Sequence, residues 1–299
     1  VGQRVMDHHY DGCGTCKHCR GGWTQMCLEG PVVYGSGGHG GHARYMKVPV
    51  STLVPLPDSL SFVTGAAISC GTGTAWGALK RINLQGGETI AIFGQGPVGL
   101  SATQLALVMG ARVIAIDVAP ERRRLAQAFG AHEVIDPTST DMVAAIRDLT
   151  HGEGAHKTLD ASSAPEARAA AVRAVRSWGT ACFVGERGQV TLDVSPDLLR
   201  RQVTLVGSWT FSKQGQAECA EFVADRKVDV ERLFTHRWTL EQAEEAYQAG
   251  ELSPTSCSRR QGRRRQPRVS SAPLGTEGLS QLAQLRSAFN ELGTASRPA

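Results

Sequence analysis

Four cysteines near the start of the chain have the residue type and spacing to hold a metal. Cys13, Cys16, Cys19 and Cys27 stand in CGTCKHCRGGWTQMC, a C-x2-C-x2-C-x7-C arrangement. Two-residue gaps let a tight turn aim successive thiolates at one point, and the later cysteine closes the fourth corner. Tetrahedral zinc takes four such ligands at about 2.3 Å. A site filled by four thiolates has no vacant position, so its role is structural rather than catalytic. The alternatives are two disulfides or free buried thiols, but Cys13, Cys16 and Cys19 are cramped for independent disulfide pairing.

A second constellation lies in FGQGPVG, directly after the apolar segment TIAIF. A lone G-x-G-x-x-G is weak evidence, but between a strand and a helix each glycine has a mechanical reason. Gly94 allows the tight turn out of the strand, Gly96 lets backbone approach a pyrophosphate, and Gly99 lets helix and strand pack closely. Pro97 is preset for a first helical turn. With Val98 it opens a helix whose amides and dipole attract the pyrophosphate. Asp117 follows 18 residues after Gly99, where a carboxylate would bind the adenosine ribose hydroxyls and repel a 2′-phosphate. NAD is therefore expected over NADP. Arg122, Arg123 and Arg124 argue the other way, because arginines can bind that phosphate; the plainer reading is that they are solvated on a helix surface.

These groups need elements to position them. Residues 1–65 read as short strands and Gly-rich turns, with GQRV, ARYMKV and TLVPLP as strand pieces and GSGGHGGH (35–42) as a loop. From Thr89 the pattern becomes strand–helix alternation. Strands are expected at 89–93, 111–117, 132–136, 157–161, 180–185 and 203–208, with helices at 98–109, 120–129, 140–149 and 165–176. Such alternation implies parallel βαβ units with right-handed crossovers. Residues 214–225 and 239–249 read as two further helices.

The composition is that of an ordinary water-facing chain, 299 residues with 41% hydrophobic and 20% charged. No apolar run approaches the roughly 18–20 residues needed to span a membrane. No signal peptide is evident, and the cysteine usage suits a reducing cytoplasm. The net charge of +4 belongs to the end of the chain: from Glu251 onward eight arginines face three acids, leaving the body near −1. Charge therefore gives no support for nucleic-acid binding by the body. The segment 258–271 has no apolar periodicity and reads as a disordered basic tail. LSQLAQLRSAFNEL (279–292) could form one short amphipathic helix.

The zinc lobe, the segment CGTGTAWGAL (70–79), GQGPVG and Asp117 resemble, in order and spacing, the zinc-dependent medium-chain dehydrogenase/reductase (alcohol dehydrogenase-like) family. The resemblance covers roughly residues 1–250. It implies an α/β fold, with a GroES-like β catalytic domain and a Rossmann doubly wound parallel-sheet coenzyme domain. The expected division is a partial catalytic domain with the lobe at 1–69, a coenzyme domain at 70–212, a helical return at 213–250 and the tail at 251–299. It also implies transfer of a hydride between a small alcohol or polyol and NAD(H), with a second, catalytic zinc in the cleft. Matched residue by residue, Cys70 falls where members place a catalytic-zinc ligand, and Thr74 where they contact the nicotinamide. Taken alone, Cys70 reads more readily as a buried inert thiol, and Thr74 nearly as readily as a helix cap; the resemblance brings the ligand reading of Cys70 level. The strand ends 160–162, 184–186 and 207–209 should border the cofactor. A symmetric homo-oligomer is expected.

The chain departs from the family pattern in two places. Only twelve residues precede Cys13, whereas members carry a longer segment there with further zinc ligands, so an N-terminally truncated chain is expected. His8, His9, His39 and His42 read as surface or loop histidines rather than substitute ligands. At the other end, an Arg- and Ser-rich run stands where a last strand should return to the catalytic domain; an out-of-frame terminus is one reading of it. A truncated member that binds structural zinc and dinucleotide without catalysis is thus the alternative function. A zinc-independent quinone reductase is disfavoured by the cysteines and Asp117, and a nucleic-acid-binding zinc module by the distance of the arginines from the lobe.

Overall fold

The computed structural model describes residues 1–252, all within the first of the two units into which the chain divides, Val1–Cys257. The basic run 258–271 and the amphipathic segment 279–292 lie outside the described residues.

The first part of the chain is made of short pieces. Strands β1 (Val5–Asp7) and β2 (Tyr10–Asp11) lead into helix α1 (Lys17–Arg20) of the cysteine lobe, followed by β3 (Val32–Val33) and β4 (Leu53–Pro55). β1 pairs antiparallel with β4, and β2 with β3. GQRV contributes only its last residue to β1, and ARYMKV is not a strand. Its side chains are mostly exposed, so no buried face rewards pairing.

Helices α2 (Phe62–Ile68) and α3 (Gly71–Arg81) come next. Ser61 caps α2 by accepting a hydrogen bond from the Thr64 amide. The alternation then proceeds as β5 (Thr89–Phe93), α4 (Pro97–Val108), β6 (Arg112–Ile116), α5 (Pro120–Ala128), β7 (Glu133–Ile135), α6 (Met142–Asp148), β8 (Ala155–Asp160), α7 (Pro165–Ala174), β9 (Val175–Phe183), α8 (Val194–Asp197) and β10 (Thr204–Gly207). Helices α9 (Lys213–Asp225) and α10 (Ala243–Leu252) follow. The expected helix 165–176 stops at Ala174, because β9 begins there.

Six strands form one parallel sheet in the order β10-β9-β8-β5-β6-β7. Counted from β5, this is the 3-2-1-4-5-6 order of a doubly wound dinucleotide fold. Both faces are covered, and period-two alternation divides the strands between two cores. Ile90, Ile92, Val113 and Ala115 pack with α3, α4 and α9, together with Met6, Val54 and Leu56 from the first strands. Ala91, Phe93, Ile114 and Ile116 pack on the opposite face with Ile146, Ala170 and Ala174. The crevice outside the carboxyl ends of β5 and β8, where the winding reverses, is where such sheets bind ligands.

No described helix is long and apolar enough to cross a membrane.

Candidate functional site: a thiolate cluster and a dinucleotide crevice

The sulfurs of Cys13, Cys16, Cys19 and Cys27 all lie within 4.8 Å of one another, and no disulfide joins them. Four sulfurs around one zinc at about 2.3 Å stand about 3.8 Å apart, so the cluster fits the ion. The backbone also favours thiolates: the Cys13 amide donates to the Cys27 sulfur and the Cys16 amide to the Cys13 sulfur, each at 3.3 Å. Hydrogen bonds from Thr15 and the Cys16 amide hold the Cys13 thiol below its usual range, and backbone donors bring Cys16 down to about 6. Burial pushes Cys19 up to about 12, a cost that a bound divalent cation would reverse. The lobe is tied to the coenzyme half by Gln25, which donates to the Phe211 carbonyl and the Thr210 hydroxyl at 2.9 Å.

The glycine loop opens the crevice. Gly94 has φ +87°, in the left-handed region, and a Cβ there would press on the backbone of Ser162 at 3.0 Å. At Gly99 a Cβ would collide with the Gly94 carbonyl. Around Gly96, by contrast, nothing stands within 4 Å of where a Cβ would be. The loop is thus closed on two sides and open on the third, the shape a pyrophosphate requires. Pro97 takes the first turn of α4, and Val98 is half-buried against the core.

Asp117 caps the end of β6, only 5% exposed. One oxygen accepts from the Gln95 amide at 2.6 Å and the other from the Ala119 amide at 2.8 Å. The carboxylate is therefore built into the glycine loop. The expectation of three solvated arginines is corrected here. Arg122 reaches Asp117 at 3.7 Å and Arg123 pairs with Asp136 at 2.7 Å, both largely covered, while only Arg124 projects into solvent. Helix α5 is amphipathic, and its first turn faces the end of β6.

Cys70 is exposed and stands at the N-terminus of α3. Thr74 is in the second turn, so it is not a cap; its hydroxyl donates to the Cys70 carbonyl at 2.8 Å. His8 and His9 stand in the short link between β1 and β2, as a loop reading expects, but they are not surface residues. His8 is fully buried, with Nδ1 3.0 Å from the Gln216 side-chain oxygen, and burial holds its pKa down at about 4. Gln216 in turn donates to the Ser69 hydroxyl at 3.0 Å, so its oxygen accepts from His8. His9 is half-buried and contacts the Ser69 carbonyl at 3.0 Å. The Tyr10 ring packs edge-on against Trp209, whose indole N–H donates to Glu186 at 2.6 Å. Burial first, then the charges of Glu186 and Cys70, raise the Tyr10 pKa. Trp209, just after β10, and Glu186, just after β9, are thus joined beside Tyr10. His42 is in the exposed loop and meets Tyr247 at 2.8 Å. Among the described residues no group of three metal-ligating side chains includes Cys70.

Comparison with known proteins agrees with this architecture. Residues 1–58 match the alcohol dehydrogenase GroES-like domain, and residues 97–226 match the zinc-binding dehydrogenase family. The chain is 39% identical over 250 residues to an uncharacterized zinc-type alcohol dehydrogenase-like protein of Escherichia coli K12, covering 82% of this chain and 70% of that protein. This chain belongs to the zinc-dependent alcohol dehydrogenase-like family. Its α/β fold, GroES-like portion and Rossmann-type sheet are those of the family. The alcohol dehydrogenase TADH from Thermus sp. ATN1 superimposes with a TM-score of 0.77 at 28% identity, over 83% of this chain and 74% of that one. A zinc-binding dehydrogenase from Sinorhizobium meliloti 1021 bound to NADP superimposes at 0.74 with 26% identity, over 82% and 72%.

The glycine loop and the cysteines are legible in the sequence, whereas Gln216 is not, because its partner His8 lies 208 residues away.

Proposed function

We propose that this chain is an NAD(H)-dependent oxidoreductase acting on a small alcohol or polyol. The carrying observation is the glycine loop at the switch point of the sheet, open only beside Gly96 and buttressed by Asp117. A bound nicotinamide cofactor supplies the hydride chemistry. The chain's part is to hold it: the loop amides and the start of α4 bind the pyrophosphate, and Asp117 meets the adenosine ribose. A buried carboxylate there disfavours a 2′-phosphate, which supports NAD. Arg122 beside it, and the NADP-bound relative, weigh on the other side. Zinc in the Cys13–Cys27 cluster would hold the lobe closed against the segment around Phe211.

Cys70 and Thr74 stand at the substrate end of the crevice in this reading, with Tyr10, Trp209 and Glu186 as its wall. Among the described residues Cys70 belongs to no group of three metal-ligating side chains, and by itself it does not make a fitting catalytic-zinc site. The second reading is a protein that binds structural zinc and dinucleotide without turnover. Titrating zinc-loaded protein with NADH and NADPH tests the binding claim: NADH tighter by tenfold or more is expected, and equal or inverted affinities would overturn the preference for NAD. Turnover of a polyol panel with NAD then separates the two readings.

A further inference from the structure

Beneath the second half of the crevice lies a buried ion pair that no step above uses. Asp160, at the end of β8, is fully buried, and Arg168 of α7 is 7% exposed. The Arg168 Nε donates to Asp160 at 3.1 Å. A second nitrogen of the same guanidinium donates to the Gly185 carbonyl at the end of β9. The other Asp160 oxygen accepts from the Ser162 amide at 2.9 Å, the Ser162 hydroxyl at 2.6 Å and the Ser163 amide at 3.3 Å. The backbone carbonyl of Asp160 accepts from the Val184 and Gly185 amides at 2.9 and 3.1 Å. Gly185 and Gly188 must both be glycine-sized, because a Cβ on either would strike Ser163.

An ion pair this deep adds little to net stability, since desolvation offsets the attraction. Its geometry suits a different task. One planar fork ties the turn after β8 to the turn after β9 in a fixed geometry that a flexible ammonium does not impose. The turn after β9 carries Glu186, and Glu186 is bonded to Trp209 after β10. The three strand ends are thereby locked together. In a doubly wound fold the two halves of the sheet bind the two mononucleotide halves, and Asp117 is on the other half.

We infer that Arg168 and Asp160 are positioning residues that set the strand ends for the nicotinamide half of the dinucleotide, without touching it. The inference rests on the cofactor reading above. Two ligands separate them: ADP-ribose, which lacks the nicotinamide, and NADH. Arg168→Lys keeps the buried charge paired with Asp160 but loses the fork. In the zinc-loaded full chain it should weaken NADH about tenfold and leave ADP-ribose within twofold, with the unfolding midpoint nearly unchanged. Should that variant unfold, the double variant Asp160→Asn/Arg168→Met removes both charges together, keeps an acceptor for Ser162 and Ser163, and should show the same selective loss. Equal losses of both ligands, or no loss of either, would overturn the inference. If the unmodified chain binds neither ligand, the cofactor reading fails and the inference goes with it.

Discussion

At the residue scale, the glycines of one short loop divide into two kinds. Gly99 is required by the protein itself, since its Cβ would meet the Gly94 carbonyl. At Gly96 nothing stands within 4 Å of where a Cβ would be, so the protein itself does not require glycine there and, in the proposed reading, the bound pyrophosphate does. Gly96→Ala is therefore expected to leave the unfolding midpoint unchanged and to weaken NADH at least tenfold, whereas Gly99→Ala should lose both; calorimetric binding and thermal melts on the pair check this. His8 gives a pH prediction. Burial lowers its pKa from 6.5 to about 4, so the unfolded chain takes up the proton first as pH falls. Stability from this group is complete above pH 6.5 and is lost as pH drops toward 4, about 2 kcal/mol between pH 7 and pH 5. Urea unfolding at both values should show that slope, and His8→Gln should flatten it.

At the element scale, the irregular start of β9 is the clearest strain in the sheet. Ala155 of β8 faces Val175 while Lys157 faces Thr180, so the β9 chain between those partners bulges out. Trp178 sits in that bulge at φ +62°, 77% exposed. A bulky side chain in the left-handed region costs roughly 1–2 kcal/mol, and no burial of the indole offsets it. Trp178→Gly is expected to raise the unfolding midpoint by about 3 °C, corresponding to about 1 kcal/mol. A lower midpoint would show that the indole makes a contact that matters. The strand-helix alternation from β5 to β10 was legible because short apolar stretches such as β5 and β6 alternate with longer helical segments, each with its own period. Of the first strands, β4 was legible in TLVPLP, but β1 was caught only at Val5 and β2 and β3 not at all, being two or three residues long and held by partners such as Thr52, Pro55 and Gln216 far along the chain.

At the scale of the whole molecule, the lobe and the sheet are held together differently. The sheet buries two apolar faces, whereas the lobe is a turn-rich segment whose sulfurs cluster without a core of their own. Removing metal with a chelator should therefore strip amide-exchange protection from residues 13–27 and leave β5, β6 and β8 protected. Loss of protection in both regions would mean that zinc holds the entire fold. The Gln25 bonds to Thr210 and Phe211 carry the coupling between them, so the segment after β10 should show a partial loss.

The sequence by itself determined what depends on spacing along the chain: four thiols within one turn-rich stretch, glycines at the mouth of a helix, an acid at the end of the second strand, and the alternation of a parallel sheet. These are local, because a zinc lobe and a glycine loop close over a few residues. Only the tertiary structure decided what depends on packing between distant segments. It buried His8 against Gln216, turned Arg122 and Arg123 inward onto carboxylates, and set Arg168 between the ends of two strands. Those outcomes follow from which faces the sheet and helices bury, and a charged or imidazole side chain carries no mark in the sequence of the partner it will meet.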